Sequence, residues 1–280
     1  MSQPSYKDIG KSANDLINKG YNIDAFKIDI KNINKSHEFN TSTTHNFKSN
    51  VLESDIKFKY KLPQQKTIFS GKWTSNNVFT TSLEIFDHII KGLSVCMESS
   101  FNFINYNRSS TFKAEYITPS YSFSNKINLI GNPILDSSIV VGNKESVAGI
   151  KVITDINNKE LKSCNFCVSR TDTNFEINGF LKNSIFFGGS FIYNFLPNLK
   201  IGGELLISQN EKISSYCVAS KYNPSQDLSI KTKINNESRI YVAIKHKITS
   251  SLSLMGTTHF SLFSSNYKSP KIGFCIEYST

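Results

Sequence analysis

Lysine is the residue through which this sequence offers chemistry. Lysines recur at alternate positions in short stretches: Lys57, Lys59 and Lys61; Lys231 and Lys233; Lys245 and Lys247; and Lys27 and Lys31 on either side of Asp29. Residues two apart in a strand share a face, so each stretch projects a row of ammonium groups to one side. Such a row catalyses nothing. It attracts anions and raises their local concentration. Formal net charge is +10, from 32 Lys and Arg against 22 Asp and Glu. Nucleic acid, an anionic membrane surface and small anions all suit that balance. The bases are spread through alternating stretches rather than gathered in a tail, which makes nucleic acid the weakest of the three, and no nucleic-acid partner is expected.

Other chemistry finds little support in spacing. The five cysteines (Cys96, Cys164, Cys167, Cys217 and Cys275) are odd in number and scattered. That argues against a disulfide framework. Cys164-x-x-Cys167 has no second pair, and residues three apart in a strand point to opposite faces, so no shared metal is expected there. His37, His45, His88, His246 and His259 show no metal-ligand spacing. There is neither a nucleophile–base pairing nor a phosphate-binding glycine loop. The expectation is a protein without catalytic residues, metal centre or resident cofactor.

The elements that position the lysines follow from periodicity. Residues 5–20 carry apolar side chains at Tyr6, Ile9, Ala13, Leu16 and Ile17, one narrow stripe at helical spacing. Ser5 with Asp8 resembles a capping box, and Gly20 is a C-terminal stop. The spacing predicts one amphipathic helix over 5–20. Beyond Gly20 the period becomes two. In 51–62, Leu52, Ile56, Phe58, Tyr60 and Leu62 oppose Glu53, Asp55, Lys57, Lys59 and Lys61. The same alternation runs through 25–31, 77–86, 199–208, 227–235, 239–248 and 271–278, and is poor in 121–129 and 134–142. Asn, Ser, Gly and Pro clusters separate the segments, among them Ser75-Asn76, Asn157-Asn158, Asn235-Asn236 and Ser264-Ser265-Asn266.

At 280 residues with 39% hydrophobic content and mean hydropathy of -0.27, no window holds the ~20 apolar residues of a spanning helix. Strands that alternate lipid-facing and water-facing residues escape that test. The 21 Phe and 12 Tyr suit interfacial girdles. A large sheet must close to remove its edges, leaving one face to lipid and one to water. The polar N-terminus has no apolar signal core, so import from the cytosol into an organelle is expected.

Several fragments, in order, resemble the mitochondrial porins, the voltage-dependent anion channels. Pro4-x-Tyr6-x-Asp8-Ile9-Gly10-Lys11-Ser12-Ala13 and Asp15-x-x-x-Lys19-Gly20-Tyr21 resemble that family's N-terminal helix and hinge. Lys72-Trp73-x-x-x-Asn77 resembles its tryptophan strand, and Phe187-Gly188-Gly189-Ser190 a loop–strand entry. Lys221-Tyr222 with Lys233-Ile234-Asn235-Asn236 carries much of its porin signature. Lys271-x-Gly273-x-x-Ile276-x-Tyr278 fits the terminal sorting signal of mitochondrial outer-membrane barrels. The sequence departs from the family in its hinge, which keeps only Gly20, at Gly71, where many animal members have a membrane-facing glutamate, and at Ser225, where the signature has an acid.

The resemblance implies an all-β transmembrane barrel of about nineteen strands, and roughly that many segments can be placed. One N-terminal amphipathic helix lies inside the lumen, with helix and hinge in 1–24 and barrel in 25–280. It implies a voltage-gated, anion-selective channel integral to the mitochondrial outer membrane, passing ATP, ADP and phosphate. Lys11, Lys19, Arg239, Ile240 and Tyr241 are the expected nucleotide contacts, with nucleotides as permeant or weakly bound ligands. Lys27, Lys57, Lys59, Lys231, Lys233 and Lys245 are the expected pore-lining charge, and Lys271, Gly273, Ile276 and Tyr278 the sorting signal. Expected partners are the lipid bilayer, small anions, other copies of the chain, cytosolic kinases and apoptosis regulators. A second reading is a weakly conducting or non-conducting barrel that serves as a docking protein of that membrane.

Overall fold

A computed structural model describes residues 3–183, 185–209, 214–261 and 271–280. The turn cluster expected at 264–266 lies outside these. Among the described residues, nineteen strands close into one barrel. They are β1 (Ala25–Ile33), β2 (His37–Asn46), β3 (Val51–Leu62), β4 (Thr67–Thr74), β5 (Val78–Phe86), β6 (Leu93–Asn102), β7 (Arg108–Ile117), β8 (Tyr121–Asn128), β9 (Ile134–Gly142) and β10 (Ser146–Asp155). The rest are β11 (Glu160–Thr171), β12 (Phe175–Lys182), β13 (Phe186–Leu196), β14 (Leu199–Ser208), β15 (Ser214–Tyr222), β16 (Leu228–Asn235), β17 (Arg239–Lys247), β18 (Leu252–Ser261) and β19 (Lys271–Ser279). No helix among the described residues is long and apolar enough to cross a membrane; the crossing is made by strands.

Each strand pairs antiparallel with the next, as short turns allow. Several of those turns place Asn or Asp at positive φ, such as Asn77 (54°) and Asp87 (51°), where the left-handed conformation suits their short polar side chains. An odd strand count leaves the first and last strands running the same way. β1 and β19 therefore close the ring in parallel, with Phe26 opposite Phe274 and Ile30 opposite Tyr278.

Directly opposed residues share a face, so the register fixes sidedness around the ring. Leu52 is 60% exposed, Trp73 47% and Phe274 52%. A belt of large exposed apolar side chains is untenable in water and natural in lipid. The poor alternation of β8 and β9 has a local cause. Asn125 and Ser137 oppose each other on the outer face, between the apolar pairs Phe123–Ile139 and Ile127–Leu135. Gly71 shares the outer face with Trp73, and the Phe58 ring fills its side-chain space; a Cβ there would lie 2.2 Å from Phe58 Cζ.

The N-terminal segment lies on the inner face, but not as one helix. A 3₁₀ turn spans Tyr6–Asp8, and α1 spans Lys11–Asn18. Gly10, at φ 72°, breaks the segment between them. Ser5 Oγ donates to Asp8 Oδ2 at 2.6 Å, so the expected cap residue binds a side chain rather than a helical N–H. The break lets the apolar stripe serve two stretches of wall. Ala13, Leu16 and Ile17 are buried against Ile192 and Ala219. Tyr6 and Ile9 lie over Gly149, where a Cβ would come within 2.9 Å of Tyr6 and 3.2 Å of Ile9. Gly202 admits Leu16 in the same way, at 2.8 Å.

Candidate functional site

The segment is fixed to the wall at both ends. At its start, Gln3 N–H donates to Thr118 O at 3.0 Å. Gln3 Nε2 donates to Pro119 O (2.9 Å) and Gly142 O (2.7 Å), and Ser122 Oγ to Pro4 O (2.8 Å). At its end, Thr257 Oγ1 donates to Asn22 O, and Lys271 pairs with Asp24. The hinge backbone passes so close to β19 that a Cβ on Gly273 would lie 1.6 Å from Asn22 O. Gly273, expected as part of a sorting signal, thus also admits the hinge. Ile276 and Tyr278 lie on the outer face with Ile272 and Phe274, while Lys271 faces inward.

The lumen wall is basic where α1 rests on it. Lys200, Lys221 and Lys231 lie directly opposite one another on β14, β15 and β16. Like charges so placed repel. Among the described residues none of the three pairs with a carboxylate, and neither does Lys59 or Lys233. Lys231 Nζ donates to Lys19 O (3.1 Å) and Asp15 O (3.4 Å). A cation at that end complements the helix dipole and the carbonyls of the last turn, of which Asp15 O also accepts from Lys19 N–H at 3.2 Å. Beside it, a cavity of about 1190 Å³ is lined by Lys19, Lys31, Lys221, Lys231, Lys245 and Lys247, with Asp29, Asp227 and Glu277.

All six lysines expected to line the pore are on the inner face, in two electrostatic states. Lys27 pairs with Asp29 (2.7 Å), Lys57 with Asp55 (2.9 Å) and Lys245 with Glu277 (2.5 Å). Lys59, Lys231 and Lys233 form no ion pair among the described residues, although Glu38 lies opposite Lys59 and the Asp15 charge reaches Lys231. Lys233 Nζ sits 5.2 Å from the Tyr21 ring centre and 4.8 Å from that of Tyr241, a cation–π arrangement that fixes the hinge. Alternation also leads inward to groups outside the six expected: Lys72, Lys113, Lys126, Lys151 and Lys221, and Glu38, Glu84, Glu98, Glu115 and Asp136. Lys72 was legible as the neighbour of the outward-facing Trp73. The acids of β5 to β9 lower the net lumen charge and concentrate its excess on the walls around Lys57–Lys72 and Lys200–Lys231.

The residues expected to contact nucleotide are not brought together. Lys11 pairs with Asp8 (3.0 Å) and Lys19 with Asp15 (2.7 Å), both solvent-facing. Burial opposes ionisation of Asp8, but the Ser5 hydroxyl and Lys11 outweigh it and hold its carboxyl below the ordinary value. Asp8 in turn raises the Lys11 pKa. Tyr241 faces inward but is covered by Tyr21, edge-on at 6.1 Å, and by His259, stacked at 5.3 Å. Arg239 pairs with Glu237 at 2.9 Å, beyond the start of its strand. Ile240 opposes Ile234 and Phe260 on the outer face and so does not line the lumen; strand alternation separates it from its two neighbours.

Known proteins resemble this sequence along nearly its whole length. The sequence profile described as eukaryotic porin matches residues 3–273. A probable voltage-dependent anion-selective channel of Caenorhabditis elegans is 29% identical over 265 residues, covering 94% of each chain. The voltage-dependent anion-selective channel of Drosophila melanogaster is 26% identical over 279 residues, 99% of each chain. The non-selective voltage-gated ion channel VDAC2 of Homo sapiens is 26% identical over 276 residues, 98% of this chain and 94% of that one. With a closed nineteen-strand barrel, an inner N-terminal helix and a family match over nearly its whole length, the chain belongs to the eukaryotic porin family, as a diverged member of the voltage-dependent channel type.

Proposed function

We propose that this protein is a voltage-gated, anion-selective channel of the mitochondrial outer membrane that passes small anions and metabolites, ATP, ADP and phosphate among them. The observation that carries the reading is the unneutralised row Lys200–Lys221–Lys231 facing an aqueous lumen. Its positive potential concentrates anions in the passage beside α1 and slows cations. Several lysines within a Debye length of one another act jointly, so selectivity is a property of the wall rather than of one residue. Nucleotides would meet this row and Lys19 as passing ligands, and no resident cofactor is needed. The relatives' names support the channel class, and the outward Ile272, Phe274, Ile276 and Tyr278 of β19 support insertion as a terminal barrel strand. The test is reversal potential across planar bilayers in a KCl gradient. Chloride preference with a large stable conductance is expected. Cation preference would overturn the anion-selective reading, and the absence of conductance would overturn the channel itself in favour of a docking barrel.

A further inference from the structure

The closing seam carries a cluster that anion passage does not use. On the inner face Lys27 opposes Cys275, and Asp29 opposes Glu277. Cys275 Sγ and the carboxylate oxygens of Asp29 and Glu277 all lie within 4.8 Å of one another. Cys275 is only 2% exposed. Its thiol is free, and among the described residues it has no hydrogen-bond partner. Lys27 pairs with Asp29 at 2.7 Å and Lys245 with Glu277 at 2.5 Å, so both carboxylates are held at this point. A buried thiol without a partner, beside two carboxylates on adjacent strands, is a poor arrangement for packing alone.

We propose that Asp29, Cys275 and Glu277 form a binding site for a divalent cation of the zinc and cadmium type. One sulfur and two oxygens within a single ion's reach match the three-ligand sets such ions accept, with the fourth position left to water from the lumen. Hard cations such as calcium need six or more oxygens and gain little from sulfur. On binding, the Cys275 S–H bond breaks as the metal–sulfur bond forms, and the proton leaves to water. The Lys27 and Lys245 ammonium groups release the carboxylates and turn to the lumen, still charged. An ion of charge two enters and one proton departs, so the seam becomes one unit more positive. The ion would also join the first strand to the last, across the parallel pairing that completes the ring.

The test uses the full chain refolded in detergent, with Cys96, Cys164, Cys167 and Cys217 replaced by Ser so that Cys275 is the remaining thiol. Titration with cadmium chloride should give the ultraviolet thiolate-to-cadmium band, saturating at one ion per chain, and should raise the thermal unfolding midpoint. Adding Asp29→Asn and Glu277→Gln should weaken binding by ~10-fold or more, and excess calcium should not displace the ion. No band, or a band undiminished by the two carboxylate substitutions, would overturn the site. Should the four-serine chain fail to fold, wild type and Cys275→Ser are compared. Loss of one cadmium equivalent supports the site, and unchanged stoichiometry overturns it.

Discussion

Lys221→Glu should make the barrel more stable while weakening its preference for anions. Lys221 stands between Lys200 and Lys231. Ammonium groups about 5 Å apart repel by ~0.8 kcal/mol per pair in water. A glutamate at 221 turns both repulsions into attractions, a swing of roughly 3 kcal/mol before screening. A Debye length of about 8 Å at physiological salt roughly halves that. The freedom of exposed lysines to splay lowers it further, to about 1 kcal/mol. For a large domain that corresponds to a rise of about 2–4 °C in Tm. Lys221→Met, which removes repulsion without adding attraction, should give about half the gain. The stabilisation should vanish near 1 M salt, where the Debye length is about 3 Å. Thermal unfolding in detergent measures the first effect, and reversal potential in a KCl gradient, which should move toward potassium, measures the second. A Lys221→Glu barrel that melts no higher than wild type at low salt, with unchanged selectivity, would refute both the unpaired row and its role.

Three further outcomes are expected. Gly273→Ala places a Cβ against Asn22 O, so the hinge should lift; limited proteolysis near residues 19–24 should accelerate while circular dichroism still reports strands. Because the folded pKa of Asp8 is depressed, its contribution is present above the unfolded value near pH ~3.9 and is lost as pH falls below it. Hydrogen-exchange protection over residues 3–20, taken relative to the intrinsic rate at each pH, should therefore fall below about pH 4, and Asp8→Asn should show the lowered protection at neutral pH. Replacing Ile276 and Tyr278 together with Lys puts charge on the lipid face, at a cost that is about 2–4 kcal/mol at the midplane and falls toward the strand end where Tyr278 lies; assembly into isolated mitochondria, scored by protease resistance, should fail.

Much of this architecture was legible because a period of two is hard to counterfeit over long stretches. The apolar face of 51–62 and the lysines opposite it are where alternation alone puts them. Legibility failed where a residue answers to a neighbour on another strand or element. Asn125 and Ser137 break the pattern of β8 and β9 because they face each other on the outer surface. The helix expected over 5–20 divides at Gly10 because two separate stretches of wall, around Gly149 and Gly202, receive its two parts. Ile240 was grouped with Arg239 and Tyr241 on sequence likeness, whereas alternation alone would have set it on the opposite face. Asp29, Cys275 and Glu277 come from opposite ends of the chain, so no local spacing could reveal them.

The parallel seam also dictates a timetable. β1 is made first and β19 last, so the ring has no means of closing until the whole chain exists. Until then the growing sheet presents two open edges, and in hydrocarbon each unpaired backbone group costs several kcal/mol. Such long-range pairing is also slow to form, since nearly the full chain must be looped back for one strand pair. An unfinished barrel is therefore poorly suited to entering lipid alone and well suited to pairing with a foreign edge. The C-terminal strand is then the one whose pairing removes both edges at once.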